Sequence, residues 1–191
     1  MNDCSPSKTN GHSLMAARRR RIDDLAITDS ACDLLIERGA GALTFAEVGK
    51  RCGLAPPTLV QRFGTREGLL ATLSAALARR LSEAFVRRDG SGSALLAMQQ
   101  ALSELAQVQV AASLLAPSVD LQGYALELRR QISFALVQAI EAGELPRLDV
   151  AQLARTLQIV FAGAVATASL ERRDPGAEVA LAVGAQFAEY V

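Results

Sequence analysis

Residues 43–70 read LTFAEVGKRCGLAPPTLVQRFGTREGLL, and the punctuation of this stretch decides the fold. Thr44 followed three residues later by Glu47 is a capping-box signature, in which the hydroxyl meets an orphan amide and the carboxylate reaches back. The helix it opens is short, because Gly53 can supply the left-handed conformation that ends it around Cys52. Pro56 and Pro57 suit the start of a second helix, where a missing N–H costs nothing. That helix, Pro57 to about Phe63, lasts barely two turns before Gly64. Thr65 caps a third, which runs to about Arg88 on an apolar stripe of Leu70, Leu73, Leu77 and Leu81, with Gly68 as a tolerable passenger. Two short helices about a tight glycine turn make a helix-turn-helix, which places its second helix in the major groove.

The second short helix carries the candidate reading residues. Leu59 and Phe63 are four apart and face the small core. Thr58, Gln61 and Arg62 share a different face and are expected to point outward. An arginine can pair bidentately with guanine and a glutamine with adenine, each pair worth about 1–3 kcal/mol of discrimination. The same three residues would also suit an ordinary solvated helix, and the spacing alone leaves both readings open.

Upstream, Ile27, Ala31, Leu34 and Leu35 give a helix beginning near Arg21 and stopped by Gly39 and Gly41. Residues 1–17 have no periodicity and are expected to form a flexible arm. The run Arg18, Arg19, Arg20 and Arg21 fits phosphates or the minor groove, or a merely solvated basic stretch. Downstream, Asp89 to Ser93 is a turn. Helices are then expected at about 93–113, 119–143, 148–170 and 176–190, parted by Pro117, by Gly143 with Pro146, and by Asp174-Pro175-Gly176. No alternating run would survive as a strand, so the fold class is all-α. The implied organisation is an arm at 1–17, a helix-turn-helix domain at 18–75 and a helical domain at 76–191.

Composition narrows the function. Half of the 191 residues are hydrophobic and only 4% are aromatic, which suits a helical interior packed with small residues. Twenty basic and twenty acidic residues balance, disfavouring a protein that packages DNA without sequence preference. The first 70 residues nevertheless hold ten basic and eight acidic groups, a weak lean towards nucleic acid. Cys4, Cys32 and Cys52 form no CxxC pair, and the single histidine is His12. Neither a metal site nor a nucleophile with its base can be assembled, so no cofactor and no enzymatic activity are expected. The competing reading, a helical-bundle enzyme or small-molecule-binding protein, would want Glu-x-x-His pairs for catalysis. Cys32 and Cys52 read as buried, inert thiols. The longest uncharged runs, 105–119 and 156–170, are shorter than the ~20 residues of a membrane span. The basic run is followed by Ile22-Asp23-Asp24 rather than an apolar stretch, so no secretory signal is expected and the cytoplasm is the expected compartment.

The sequence from about 21 to 75 resembles the DNA-binding domain of TetR-type transcriptional repressors. The matching pieces are Ile27, Ala31, Leu34, Leu35 and Gly39, then LTFAEVGKRCGLA, then TLVQRF and TREGLL. The rest is similar only as an all-helical tail of the right length. The resemblance implies a homodimer that binds a palindromic double-stranded DNA operator and releases it when a small ligand enters the C-terminal domain. It puts Thr44 and Phe45 where the family contacts phosphate. It puts Pro56, Pro57, Thr58, Gln61 and Arg62 in the turn and reading helix, and Arg66 where a lysine commonly reaches phosphate. Val60 departs from the usual tyrosine, and Phe45 stands where a hydroxyl residue is common.

In the C-terminal part Met98, Leu102, Leu105, Leu121, Tyr124, Leu128, Phe134 and Phe161 are candidates to line a cavity for an apolar effector. At helical spacing they equally suit plain core. The last two helices are rich in alanine and glycine, and Leu153, Leu157, Val160, Ala164, Leu181 and Phe187 are the candidate contacts of an intermolecular four-helix bundle. An intramolecular hairpin is the alternative.

Overall fold

The computed structural model describes residues 23–88, 92–115 and 120–188. Helices α1 (Asp24–Arg38), α2 (Phe45–Cys52), α3 (Pro56–Phe63) and α4 (Arg66–Arg88) are followed by α5 (Ala94–Leu115), α6 (Gln122–Glu141), α7 (Val150–Glu171) and α8 (Pro175–Ala185). The described residues contain no strand, and the fold is all-α as the sequence leads one to expect. A 3₁₀ turn at Ala40–Ala42, which the sequence reading did not anticipate, joins α1 to α2. The expected helix at 176–190 is shorter, because residues 186–188 leave α8 as a turn. The arm at 1–17 and the run Arg18–Arg21 lie outside the described residues.

The helix starts follow their caps. Asp149 accepts from the Gln152 amide at 3.0 Å to open α7, and Asp174 accepts from the Gly176 and Ala177 amides to open α8, with Pro175 in its first turn. The start of α5 is capped from elsewhere in the chain. Glu144, beyond the end of α6, accepts from the Ala94 amide at 2.8 Å, the Leu95 amide at 3.1 Å and the Ser93 hydroxyl at 2.8 Å.

Burial runs continuously through the molecule. Ile27, Leu35, Leu43, Val48 and Leu59 close the core of the N-terminal head together with Leu69, Leu70 and Leu73 of α4. Further along the same helix Leu77, Leu81 and Ala84 join the core built by α5 to α8. The boundary expected at residues 75 and 76 therefore falls inside α4, which belongs to both halves. Helix α7 is long and apolar enough to cross a membrane. In this fold Leu157, Phe161 and Val165 bury one side of it in the bundle, against α5, α6 and α8.

A row of acids on α1 ties the head to its neighbours. Arg79 pairs with Asp29, Arg80 with Asp33 at 2.6 Å and with the Asp29 carbonyl at 2.9 Å, all from α4. Arg51 of α2 grips Glu37 through two nitrogens at 2.6 and 2.7 Å and holds that carboxyl below its usual range. Exposed pairs of this kind add little stability singly. Their effect is orientational: one face of α1 is fastened to both α2 and α4.

Candidate nucleic-acid interface

The helix-turn-helix is built by glycine geometry. Gly53 sits at φ +66°, and its amide together with that of Leu54 donates to the Gly49 carbonyl, reversing the chain after α2. Gly49 itself is buried, and a Cβ there would stand 2.5 Å from the Leu54 carbonyl oxygen. Thr44 caps α2 by accepting from the Glu47 amide at 3.2 Å. The other half of the capping box does not form. Glu47 pairs with Arg38 at 3.0 Å, because the 3₁₀ turn already brings the Ala42 carbonyl to the Thr44 amide at 2.8 Å. Phe45, beside the cap, packs half-buried against the core.

On α3, Leu59 is fully buried and fixes the rotation of the helix. The outward side carries Pro56, Pro57, Val60 and Gln61, with Val60 47% exposed. Thr58 and Arg62 sit on the flanks, and only Gln61 of the three expected outward residues stands fully in solvent. Arg62 turns towards α1, where its guanidinium meets the Asp24 carboxylate at 3.0 Å. Its side chain is 24% exposed against 66% for Asp24, so the acid lies outside the cation. This corrects the expected outward orientation: the start of α1 offers Arg62 an anion that helical spacing could not reveal.

Arg66 supplies a second contact that the sequence did not reveal. Its Nε donates to the Leu43 carbonyl at 3.0 Å and another guanidinium nitrogen donates to the Ala40 carbonyl at 3.1 Å. The side chain thus fastens the 3₁₀ turn to the start of α4 and sets where Thr44 begins α2. Gly68 is a second correction. A Cβ at this position would lie 2.1 Å from the Phe63 carbonyl oxygen, so the glycine is a packing requirement where α3 meets α4. Cys32 is buried in the head core, and burial pushes its thiol up to about 11, so it stays protonated; Cys52 is half-buried.

Residues 27–73, the span from α1 into α4, match the model for bacterial regulatory proteins of the tetR family. Over that span the head is similar to the tetR family of bacterial regulatory proteins. Solved structures of transcriptional regulators share the fold beyond the head. A TetR transcription regulator from Haloarcula marismortui superposes with TM-score 0.67 at 18% identity, covering 88% of this chain and 96% of its own. SmeT, the repressor of the Stenotrophomonas maltophilia multidrug efflux pump SmeDEF, gives 0.64 at 19% identity, covering 88% and 90%. A transcriptional regulator from Rhodococcus sp. Rha1 gives 0.61 at 18% identity, covering 84% and 94%. No curated protein sequence matches the chain.

The C-terminal half redistributes the expected cavity residues. Leu102, Leu128 and Phe161 are buried core, Leu105 is buried but borders a separate cleft between α4 and α5, and Leu121 packs half-buried against the core. Tyr124 is buried as well, its hydroxyl donating to Gln109 Oε1 at 3.0 Å. Met98 and Phe134 border a cavity of about 320 Å³ that opens between the end of α4, the first turns of α5 and the end of α6, while Tyr124 lines a separate cleft between α4 and α6. Phe85, Gln131, Gln138 and Glu144, which the sequence reading missed, complete its character. Their signal was absent from the sequence, since the cavity forms where three helices end rather than on one helix face.

The expected dimer contacts divide in the same way. Leu157, Ala164 and Phe187 are buried within their own chain, where α8 packs on α5 and α7. Leu153 and Val160 are half-buried. Leu181 alone of the set is fully outward, at 72% exposure. Ile159 and Leu170 of α7, also strongly exposed, join it as large apolar groups that the sequence reading did not single out.

Proposed function

We propose that this regulator binds a two-fold symmetric operator as a homodimer and that a small molecule in the α4–α6 cavity lowers its affinity for DNA. The observation that carries the DNA half is the outward face of α3, where Gln61 stands in solvent between Pro57 and Val60. Gln61 is the residue placed to read a base edge, an adenine by its bidentate geometry. Thr44 and Phe45 at the start of α2 face the adjacent backbone, with Arg66 positioning them, and Arg62 contributes once released from Asp24. The operator, and hence the protein's place of work, is cytoplasmic DNA.

The dimer half rests on Ile159 and Leu170 along α7 and Leu181 on α8, large apolar side chains that a partner copy would cover. Repression followed by release fits the separation of a DNA-reading head from a bundle with its own cavity. Arg79 and Arg80 give a physical link, since a tilt of α4 carries Asp29 and Asp33, and with them α1, along. Half-site spacing must follow the ~34–36 Å repeat of DNA, so a modest tilt costs affinity. A hundredfold release requires the effector to distinguish the two states by about 2.7 kcal/mol.

Selection of binding sites from random duplexes tests the reading. The parent should enrich an inverted repeat, and Gln61→Ala should relax preference at one position in each half-site, about fivefold or more. Enrichment of no sequence by the parent would return the chain to the class of helical proteins that bind small molecules without reading DNA.

The Arg62 pair gives an independent measurement. Asp24→Asn removes an anion from the DNA-facing side and weakens one hold on the Arg62 guanidinium. Affinity for operator and random DNA alike is expected to rise several-fold at low salt, with a steeper salt dependence. Titrations of both duplexes across a salt series read this, and an unchanged slope would mean that Arg62 never leaves α1.

A further inference from the structure

The cavity between α4, α5 and α6 has a chemistry that specifies more than a small apolar guest. Phe85 and Phe134 supply aromatic surface and Met98 a polarizable floor. Phe134 is 55% exposed, so its ring face is open to a guest in the cavity. Among the lining residues Glu144 is the one ionisable group. Its charge is already committed: the carboxylate accepts from the Ala94 and Leu95 amides and from Ser93, plugging the positive end of α5. Partial burial would raise its titration, but the Leu95 and Ala94 amides and the Ser93 hydroxyl hold the group below the usual carboxylate range. At neutral pH it is an anion whose partners are in place.

The two glutamines differ. Gln131 spends its amide on Glu127 Oε1 at 2.7 Å. The Gln138 side chain has no hydrogen-bond partner among the described residues, although the residue is half-buried and borders the cavity. A side-chain amide in that position offers a guest one donor and one acceptor together. A charged guest of either sign would give up its hydration in a site whose described lining offers no free counter-charge, because the only carboxylate there is already engaged by the start of α5.

We propose that this cavity takes an uncharged aromatic molecule bearing one amide-like group, with its rings against Phe85 and Phe134 and its polar group on Gln138. The inference rests on the effector reading above for its biological consequence, but the binding itself does not require DNA. At about 320 Å³ the space lies at the small end of ligand sites, suiting a compact two-ring skeleton.

Three probes of one shape test it: naphthalene-2-carboxamide, naphthalene-2-carboxylate and 2-naphthylmethylammonium, titrated calorimetrically into the full-length protein. The carboxamide is expected to bind at least tenfold more tightly than the carboxylate and more tightly than the ammonium. Gln138→Leu should weaken the carboxamide several-fold, the range of one net hydrogen bond, and leave the melting temperature unchanged. Phe134→Ala should weaken all three. Equal binding of carboxamide and carboxylate, tighter binding of the ammonium, or indifference to Gln138→Leu would overturn the assignment. A gel shift with the selected operator, run at saturating carboxamide, separates the two readings. Binding without release of DNA sinks the switch and leaves the site standing, whereas failure of all three probes to bind sinks the site and leaves the DNA reading untouched.

Discussion

Gly68→Ala is expected to destabilise the head by about 2 kcal/mol and to lower operator affinity at least tenfold. The added Cβ would fall 2.1 Å from the Phe63 carbonyl oxygen, and that atom is backbone, so it cannot rotate aside. The same carbonyl accepts the Thr65 amide at 2.8 Å in the turn between α3 and α4. Relief of the clash must therefore move the end of the reading helix or open the first turn of α4. Alanine is the better helix former by about 1 kcal/mol, which offsets part of the overpacking cost. The control is Gly123→Ala on α6, where a Cβ meets nothing within 4 Å and the propensity gain acts alone. Thermal melting should place Gly68→Ala below the parent and Gly123→Ala at or above it. Identical melting of Gly68→Ala and parent, with operator binding intact, would show that α3 and α4 slide apart freely and that this glycine is only a weak helix position.

Gly68 also shows where sequence reading stops. The helix order, the all-α class and the helix-turn-helix were legible because they rest on local signals: a Thr cap, a left-handed glycine, paired prolines and four-residue apolar spacing. Gly53 and Gly68 look alike in the sequence, yet one ends a helix by its φ and the other permits a backbone approach from a different helix. Only the second depends on tertiary geometry. The same distinction separates Gln61 from Arg62. Both follow the α3 face by spacing, but Arg62 is drawn to Asp24, 38 residues away, by an anion that helical periodicity cannot see. Arg66 was legible as a cation at the right place, whereas its two carbonyl partners come from a 3₁₀ turn with no sequence signature. In the bundle, apolar spacing marks what is buried but not against what. Leu157 and Phe187 therefore suited an intermolecular bundle and an intramolecular hairpin alike, and both prove buried within their own chain. Cavities are harder still, since the one lined by Phe85 and Phe134 is framed by the ends of α4 and α6 and the start of α5, where no single helix carries a pattern.

The largest loss is expected from Leu181→Glu. At 72% exposure this side chain makes little contact within its own chain, so the substitution should leave the monomer's melting temperature nearly unchanged. In a two-fold dimer the change enters twice, and each carboxylate is buried opposite the apolar surface that Leu181 covered. Desolvating an unpaired charge costs several kcal/mol, more than a modest interface contact can return. Sedimentation should then find monomer at micromolar concentration where the parent is a dimer. Operator affinity should fall by a factor of ~10²–10⁴, the avidity lost when two linked half-site contacts become one. Preference within a single half-site should persist, because Gln61 and its helix lie in the head, away from α8. Leu170→Glu, on α7 and more exposed still, should give the same outcome if both helices build the interface. A Leu181→Glu protein that remains dimeric and binds operator normally would place the two-fold contact elsewhere. Monomer formation with operator affinity intact would instead mean that one head suffices, and the spacing mechanism for effector release would fall with it.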